Sequence, residues 1–136
     1  MIEYNKKRKM DVNFALRCQI KGNLHTYLRR NINTSKNNSI LKYIGCSILF
    51  LKSWFEYNFD EKTTWDNRGS YWHIDHIIPC ASFNLSNQDE IYKCYNWSNL
   101  RPLEKKENIS KSDSINKAII YEYEEKAKSF LNQSTI

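Results

Sequence analysis

A small α+β domain, mainly helical and carrying two short strands, is what this 136-residue chain predicts. Three observations carry the prediction. Apolar residues recur at every third or fourth position over several stretches, as they do on helices with one buried face. Two short stretches, 71–75 and 100–103, read as strands bounded by turn residues. The length allows one hydrophobic core and is too short for two ordinary ones.

Taken in order, the first element runs from Asp11, an N-cap residue, to about Arg30, with Leu16, Ile20, Leu24 and Leu28 on one face. Gly22 in its middle costs about 1 kcal/mol relative to Ala and marks a place for a kink or break. Residues 31–39 are a polar linker. A short apolar turn, Ile40 to Ile44, ends at Gly45, and Ser47 then caps a helix running to about Tyr57. Leu49, Leu51, Trp54, Phe55 and Phe59 are the core residues expected there.

The turn residues Asp66-Asn67-Arg68-Gly69 lead into the first strand, Tyr71 to Asp75, which Pro79 closes. A brief helix over 86–95, a strand from Leu100 to Leu103 and a helix from Glu104 to about Lys111 follow. An amphipathic helix from Ser114 to Leu131 ends the chain, using Ile115, Ala118, Ile119, Tyr123 and Ala127. The organisation expected is a basic helical segment over 1–40, a core over 41–113 and a C-terminal helix over 114–136 packed on that core.

Composition narrows the function. The chain is 40% hydrophobic and 14% aromatic, with four Trp and nine Tyr, which suits a folded globular protein. No apolar run reaches the roughly 18 residues of a membrane span, and charge opens the chain where a signal peptide would be apolar, so an intracellular, non-secreted protein without a membrane partner is expected. Cys18, Cys46, Cys80 and Cys94 form no C-x-x-C pair. That spacing argues against a structural zinc site and a disulfide framework, and the four read as reduced, mostly buried small hydrophobes.

The net charge of +6 is unevenly placed. Residues 1–43 hold ten Lys/Arg against Glu3 and Asp11, whereas residues 44–136 hold eleven against thirteen acids. A localised basic segment fits a polyanion partner. A solvated basic face, or an import signal at Lys6-Lys7-Arg8-Lys9, accounts for the same charge.

Residues 73–113 hold candidates for each role in phosphodiester hydrolysis, which needs a base for water, a cation for the developing charge and groups that align them. Asp75 and Asn108 offer the hard oxygen donors that Mg²⁺ takes, and His76 titrates near neutral pH. The stretch Tyr71-Trp-His-Ile-Asp-His-Ile-Ile-Pro79, then Phe83, Asn96-Trp-Ser-Asn-Leu-Arg-Pro-Leu103 and Glu107-Asn-Ile-Ser-Lys111 resembles the HNH endonucleases of phages, large DNA viruses and mobile elements. With Tyr43-Ile-Gly-Cys-Ser47 and Thr64-Trp-Asp-Asn67, the resemblance covers about half of the chain. The same family includes the domain with which RNA-guided nucleases cut the guide-paired strand.

The resemblance implies a ββα-metal finger over about 71–113. It implies Asp75 as first metal ligand, His76 as general base, Asn99 as the residue that holds the loop between the strands and orients His76, and Asn108 as second metal ligand. It also implies one divalent ion, Mg²⁺ before Mn²⁺ or another, and products with 5′-phosphate and 3′-hydroxyl ends. The partner implied is DNA, double-stranded, met by a monomer or homodimer. Lys111 is placed to meet a phosphate; Arg101, Lys105 and Lys106 are further phosphate candidates or plain surface cations. His73 is a phosphate contact or a packed histidine, and His25 a surface residue. The four Trp read as core, one of them able to stack on a base.

In an unbroken strand Asp75 and His76 leave opposite faces, so their convergence on one phosphate requires the strand to end or bulge there. Two competing functions stand beside the nuclease. One is a DNA-binding module that keeps the fold without turnover, disfavoured because binding alone requires none of Asp75, His76 and Asn108. The other is a secreted nuclease toxin, for which no translocation segment is visible.

Overall fold

The computed structural model describes residues 21–22 and 39–134. The helix expected from Asp11 to Arg30, the Lys6–Lys9 cluster, His25 and Cys18 lie outside them, except for Lys21 and Gly22. The described residues form an α+β unit: five helices and one two-stranded antiparallel sheet.

The first two helices are set by local chemistry. Helix α1, Ser39–Ile44, stops at Gly45, whose φ of 75° suits glycine and whose N–H closes on the Leu41 carbonyl at 2.9 Å. Helix α2, Ile48–Tyr57, starts at Ser47, whose hydroxyl accepts from the Phe50 N–H at 3.1 Å. Ile48, Leu51, Trp54 and Phe55 face inward, while Leu49, expected in the core, is 48% exposed because it falls on the opposite side of the helix.

The strands are β1, Trp72–His76, and β2, Leu100–Glu104, in register from Trp72↔Glu104 to His76↔Leu100. Strand β1 begins and ends one residue later than the alternation predicts. It pairs regularly through His76, so the strand ends there without a bulge. Pro102 is accommodated in β2 because each strand of a two-stranded sheet is an edge. Turn residues hold the entry to β1: Asn67 accepts from the Thr64 N–H and donates to the Lys62 carbonyl, and Gly69 turns at φ 94°.

Aromatic rings join α2 to the sheet. Trp72 lies edge-on to Phe55, Phe59 and Trp65 at centroid distances of 6.1, 5.3 and 5.6 Å, and its indole N–H donates to the Thr64 carbonyl. Trp54 donates from its indole to the Leu100 carbonyl at 2.8 Å, tying α2 to the first residue of β2. Each buried indole removes on the order of 200 Å² from water, worth about 5 kcal/mol at roughly 25 cal/mol/Å².

Helix α3, Gln88–Tyr95, is capped by Asn87 and buries Ile91, Cys94 and Tyr95. A 3₁₀ turn, Trp97–Asn99, leads into β2, and helix α4, Lys105–Lys111, follows directly and packs on both strands. Helix α5, Lys117–Ser134, starts three residues later than expected: the Asn116 side chain caps it, accepting from the Ala118 and Ile119 N–H groups. Tyr123, Ala127 and Phe130 join the core, while Ile115, left before the cap, is 55% exposed and Ala118 also faces outward. No helix among the described residues is long and apolar enough to cross a membrane.

Candidate active site

The end of β1 is the chemical centre of the described fold. Asp75 and His76 leave opposite faces of the strand, and each is held by a different part of the chain.

Asp75 is 5% exposed and faces α4 and β2. Its register partner Arg101 donates from Nε to Oδ2 at 2.8 Å, and Lys111 donates from Nζ to Oδ1 at 2.9 Å and Oδ2 at 3.0 Å. The Lys111 ammonium also donates to the His76 carbonyl. Arg101 is itself 5% exposed, with its guanidinium 5.0 Å from the Tyr123 ring centre. Burial would pull its pKa down, but the hydrogen bond to Asp75 and the Tyr123 contact outweigh that and hold it above the ordinary arginine value.

Arg101 is therefore not a phosphate contact. It is enclosed and paired, since a buried carboxylate needs a cation within hydrogen-bond reach. Lys111 also departs from the expectation of a lysine open to phosphate: its ammonium lies among three oxygens contributed by Asp75 and the His76 backbone.

His76 is fixed from the other face. A carbonyl can only accept, so Nδ1 carries the proton it shares with the Cys94 carbonyl at 3.0 Å. Nε2 has no hydrogen-bond partner among the described residues. The Tyr95 ring stands edge-on to the imidazole at 4.7 Å.

Asn99, buried, secures this arrangement. Its Oδ1 accepts from the Ile78 N–H at 2.9 Å, and its Nδ2 donates to the Ile78 carbonyl at 3.1 Å and to the Cys94 carbonyl at 2.9 Å. With the Ile77 N–H donating to the Asn99 carbonyl at 2.8 Å, the loop after β1 is latched to the turn before β2. The carbonyl that orients His76 is thus itself held by Asn99.

Asn108 is half-buried on α4, one turn before Lys111, so the two share the helix face that packs on the sheet. The oxygens that meet here, the Asp75 carboxylate and the His76 carbonyl, are hard donors of the kind a divalent ion takes. The Lys111 ammonium is a cation already seated in that oxygen cradle.

The remaining candidates are placed otherwise. His73 donates from Nε2 to the Gly69 carbonyl at 3.1 Å and braces the turn before β1. Lys105 and Lys106 are exposed on the first turn of α4. Trp54 and Trp72 are fully buried, and Trp65 and Trp97 pack partly buried against the core.

Two cysteines that their spacing in the sequence does not single out lie beside His76. The Cys94 thiol lies 3.4 Å from the Cys80 sulfur and 3.7 Å from His76 Nδ1. Positions 76, 80 and 94 match no short cysteine motif, and only the fold brings them together. The Cys80 thiol is pulled below the usual thiol range, first by the hydrogen bond from Cys94, against the opposing effect of burial, and then by His76. Cys46, which has no such donor, is pushed up to about 12 by burial.

The chain is similar to two mimivirus proteins. It is 42% identical over 105 residues to the uncharacterized protein L426 of Acanthamoeba polyphaga mimivirus, covering 77% of this chain and 45% of the relative. It is 32% identical over 131 residues to the uncharacterized protein L246 of the same virus, covering 96% of this chain and 56% of the relative. The chain thus spans about half the length of the curated relatives it matches. No family model and no solved structure matches it.

Proposed function

We propose that this chain carries a metal-dependent endonuclease site of the His-Asn-His type, acting on double-stranded DNA. The observation that carries the reading is the ββα unit itself. β1 ends at Asp75-His76, Asn99 latches the intervening loop, and α4 lies beside the carboxylate with Asn108 on its inner face.

In this reading His76 is the general base. Its Nδ1 proton is committed to the Cys94 carbonyl, which leaves Nε2 to take a proton from water. Asn99 is a positioning residue that acts through that carbonyl. Asp75 and Asn108 would hold one divalent ion of the Mg²⁺ type, which when bound neutralises charge developing on the phosphate and the leaving oxygen. Lys111 must release Asp75 for this, and its ammonium is then free to meet a phosphate beside Lys105 and Lys106. The basic stretch over 1–43 adds sequence-independent affinity. Hydrolysis leaves 5′-phosphate and 3′-hydroxyl ends. The work is placed inside the cell, where cysteines stay thiols, and the viral relatives fit a viral nuclease.

A second reading has one observation in its favour. Asp75 is already matched by two cations, as in a purely structural ion cluster, so a DNA-binding module with this fold would look the same at that carboxylate. Supercoiled plasmid incubated with the protein in Mg²⁺ and in EDTA separates the two. The nuclease reading expects nicked circles in Mg²⁺ only; a gel shift without nicking at any divalent ion would support the binding module.

A further inference from the structure

The thiols of Cys80 and Cys94 converge on His76, the Cys94 sulfur toward Nδ1. The His76, Cys80 and Cys94 ligand atoms all lie within 4.8 Å of one another. Tetrahedral zinc, with Zn–S near 2.3 Å and Zn–N near 2.0 Å, holds its donor atoms roughly 3.4–3.8 Å apart. The 3.7 Å from Cys94 Sγ to Nδ1 lies close to the roughly 3.5 Å that sulfur and nitrogen keep on such an ion, and the 3.4 Å between the sulfurs is within about 0.4 Å of the roughly 3.8 Å that two sulfurs would take. Two sulfurs and an imidazole are soft donors that select zinc-type ions over Mg²⁺. Cys80 is half-buried on the 3₁₀ turn Cys80–Ser82, so the cluster is approached from the surface, while Cys94 is anchored in α3.

We propose that His76 Nδ1, Cys80 Sγ and Cys94 Sγ form a second metal site, selective for a zinc-type ion, whose occupation disables the candidate base. The ion bonds through the Nδ1 lone pair, so the Nδ1 proton, now shared with the Cys94 carbonyl, moves to Nε2. Both cysteines bind as thiolates, and any thiol proton still held passes to solvent on coordination. The ring stays neutral and the ion's two charges are matched by two thiolates. With Nε2 protonated, no lone pair remains on His76 to take a proton from water. Water completes the fourth position of the tetrahedron.

Metal binding here stands on geometry alone, while the inhibitory half rests on the nuclease reading, and one experiment separates them. The full chain, kept reduced with a phosphine, is titrated with Co²⁺ as a spectroscopic probe. One equivalent should produce sulfur-to-cobalt charge-transfer absorption and intense tetrahedral d–d bands, both abolished by one equivalent of Zn²⁺. Cys80→Ser and Cys94→Ser should each lose the charge-transfer band, with near-ultraviolet circular dichroism of the Trp cluster confirming the fold. Absence of the band in the wild type, or its persistence in the folded double variant, overturns the site.

Plasmid nicking in Mg²⁺ is then followed with stoichiometric Zn²⁺. Nicking by the wild type should fall by at least about 10²-fold, the usual contribution of a general base, and recover on adding a zinc-selective chelator, whereas Cys80→Ser should be unaffected. Equal inhibition of both proteins overturns the inhibitory link. If the wild type nicks nothing even without Zn²⁺, the nuclease reading falls, and the cobalt spectrum still decides the metal site.

Discussion

His76 and Asn99 converge on one acceptor: the Cys94 carbonyl takes the Nδ1 proton of the first at 3.0 Å and an Nδ2 proton of the second at 2.9 Å. The imidazole is thereby oriented by a backbone group that an amide side chain keeps in place. Asn99→Ala should leave the Ile78 N–H and carbonyl without their side-chain partner and lower the unfolding free energy by roughly 2–3 kcal/mol. Urea denaturation followed by Trp fluorescence measures this. Asn99→Asp, which keeps the acceptor for the Ile78 N–H but sets a buried carboxylate oxygen against the Ile78 and Cys94 carbonyls, should not recover the loss.

The ion cluster gives a second test. Asp75 is enclosed with Arg101, and replacing it by Asn leaves two cations without a counter-charge. Asp75→Asn should cost about 3–5 kcal/mol, the range for breaking a buried ion pair from one side. Adding Arg101→Met should cost less than the sum of the single changes, because the second substitution removes one of the stranded charges. Strict additivity of the two in denaturation midpoints would show that the pair is not coupled.

Gly45 joins α1 to α2 at a φ of 75°, and a Cβ there would lie 3.1 Å from the Asn96 side-chain nitrogen. Gly45→Ala should destabilise the fold by about 1–2 kcal/mol, the cost of the left-handed region for an L-residue. Asn96 also caps the 3₁₀ turn that carries Asn99, accepting from the Ser98 N–H at 3.0 Å. The substitution should therefore loosen the loop after β1 as well, read as faster amide exchange at Ile78.

Thiol chemistry carries the pH dependence. The thiolate is the reactive form, and it is favoured at Cys80 and opposed at Cys46, whose pKa is about 12. Iodoacetamide at neutral pH should label Cys80 of the native protein ahead of Cys46. Lowering the pH through the ordinary thiol range should slow Cys80 little, whereas Cys46 should react only as the pH rises toward 12 or the chain unfolds. Peptide mass spectrometry reads both, and preferential labelling of Cys46 would contradict the assignment.

Local chemistry made much of the fold legible in the sequence. Gly45 and Ser47 mark their helix ends because a left-handed turn and a hydroxyl cap are decided within four residues. Ser114 misled as a helix start because Asn116, a stronger cap two residues on, wins the first free N–H groups. Asp75, His76 and Asn99 stand out in the sequence by residue type and order, and the fold brings them together around the end of β1. The enclosure of Arg101 is not legible there, since nothing local distinguishes an arginine facing solvent from one facing a carboxylate across a strand pair. Nor is the meeting of Cys80 and Cys94 with His76, which depends on how α3 packs against the end of β1.

The most direct test of the nuclease account compares wild type and His76→Ala for both plasmid nicking in Mg²⁺ and DNA binding measured without the metal. Nicking should fall by at least about 10²-fold with binding unchanged, because the imidazole supplies proton transfer and not grip. Nicking at wild-type rate by His76→Ala, or no metal-dependent nicking by the wild type itself, would contradict the nuclease reading.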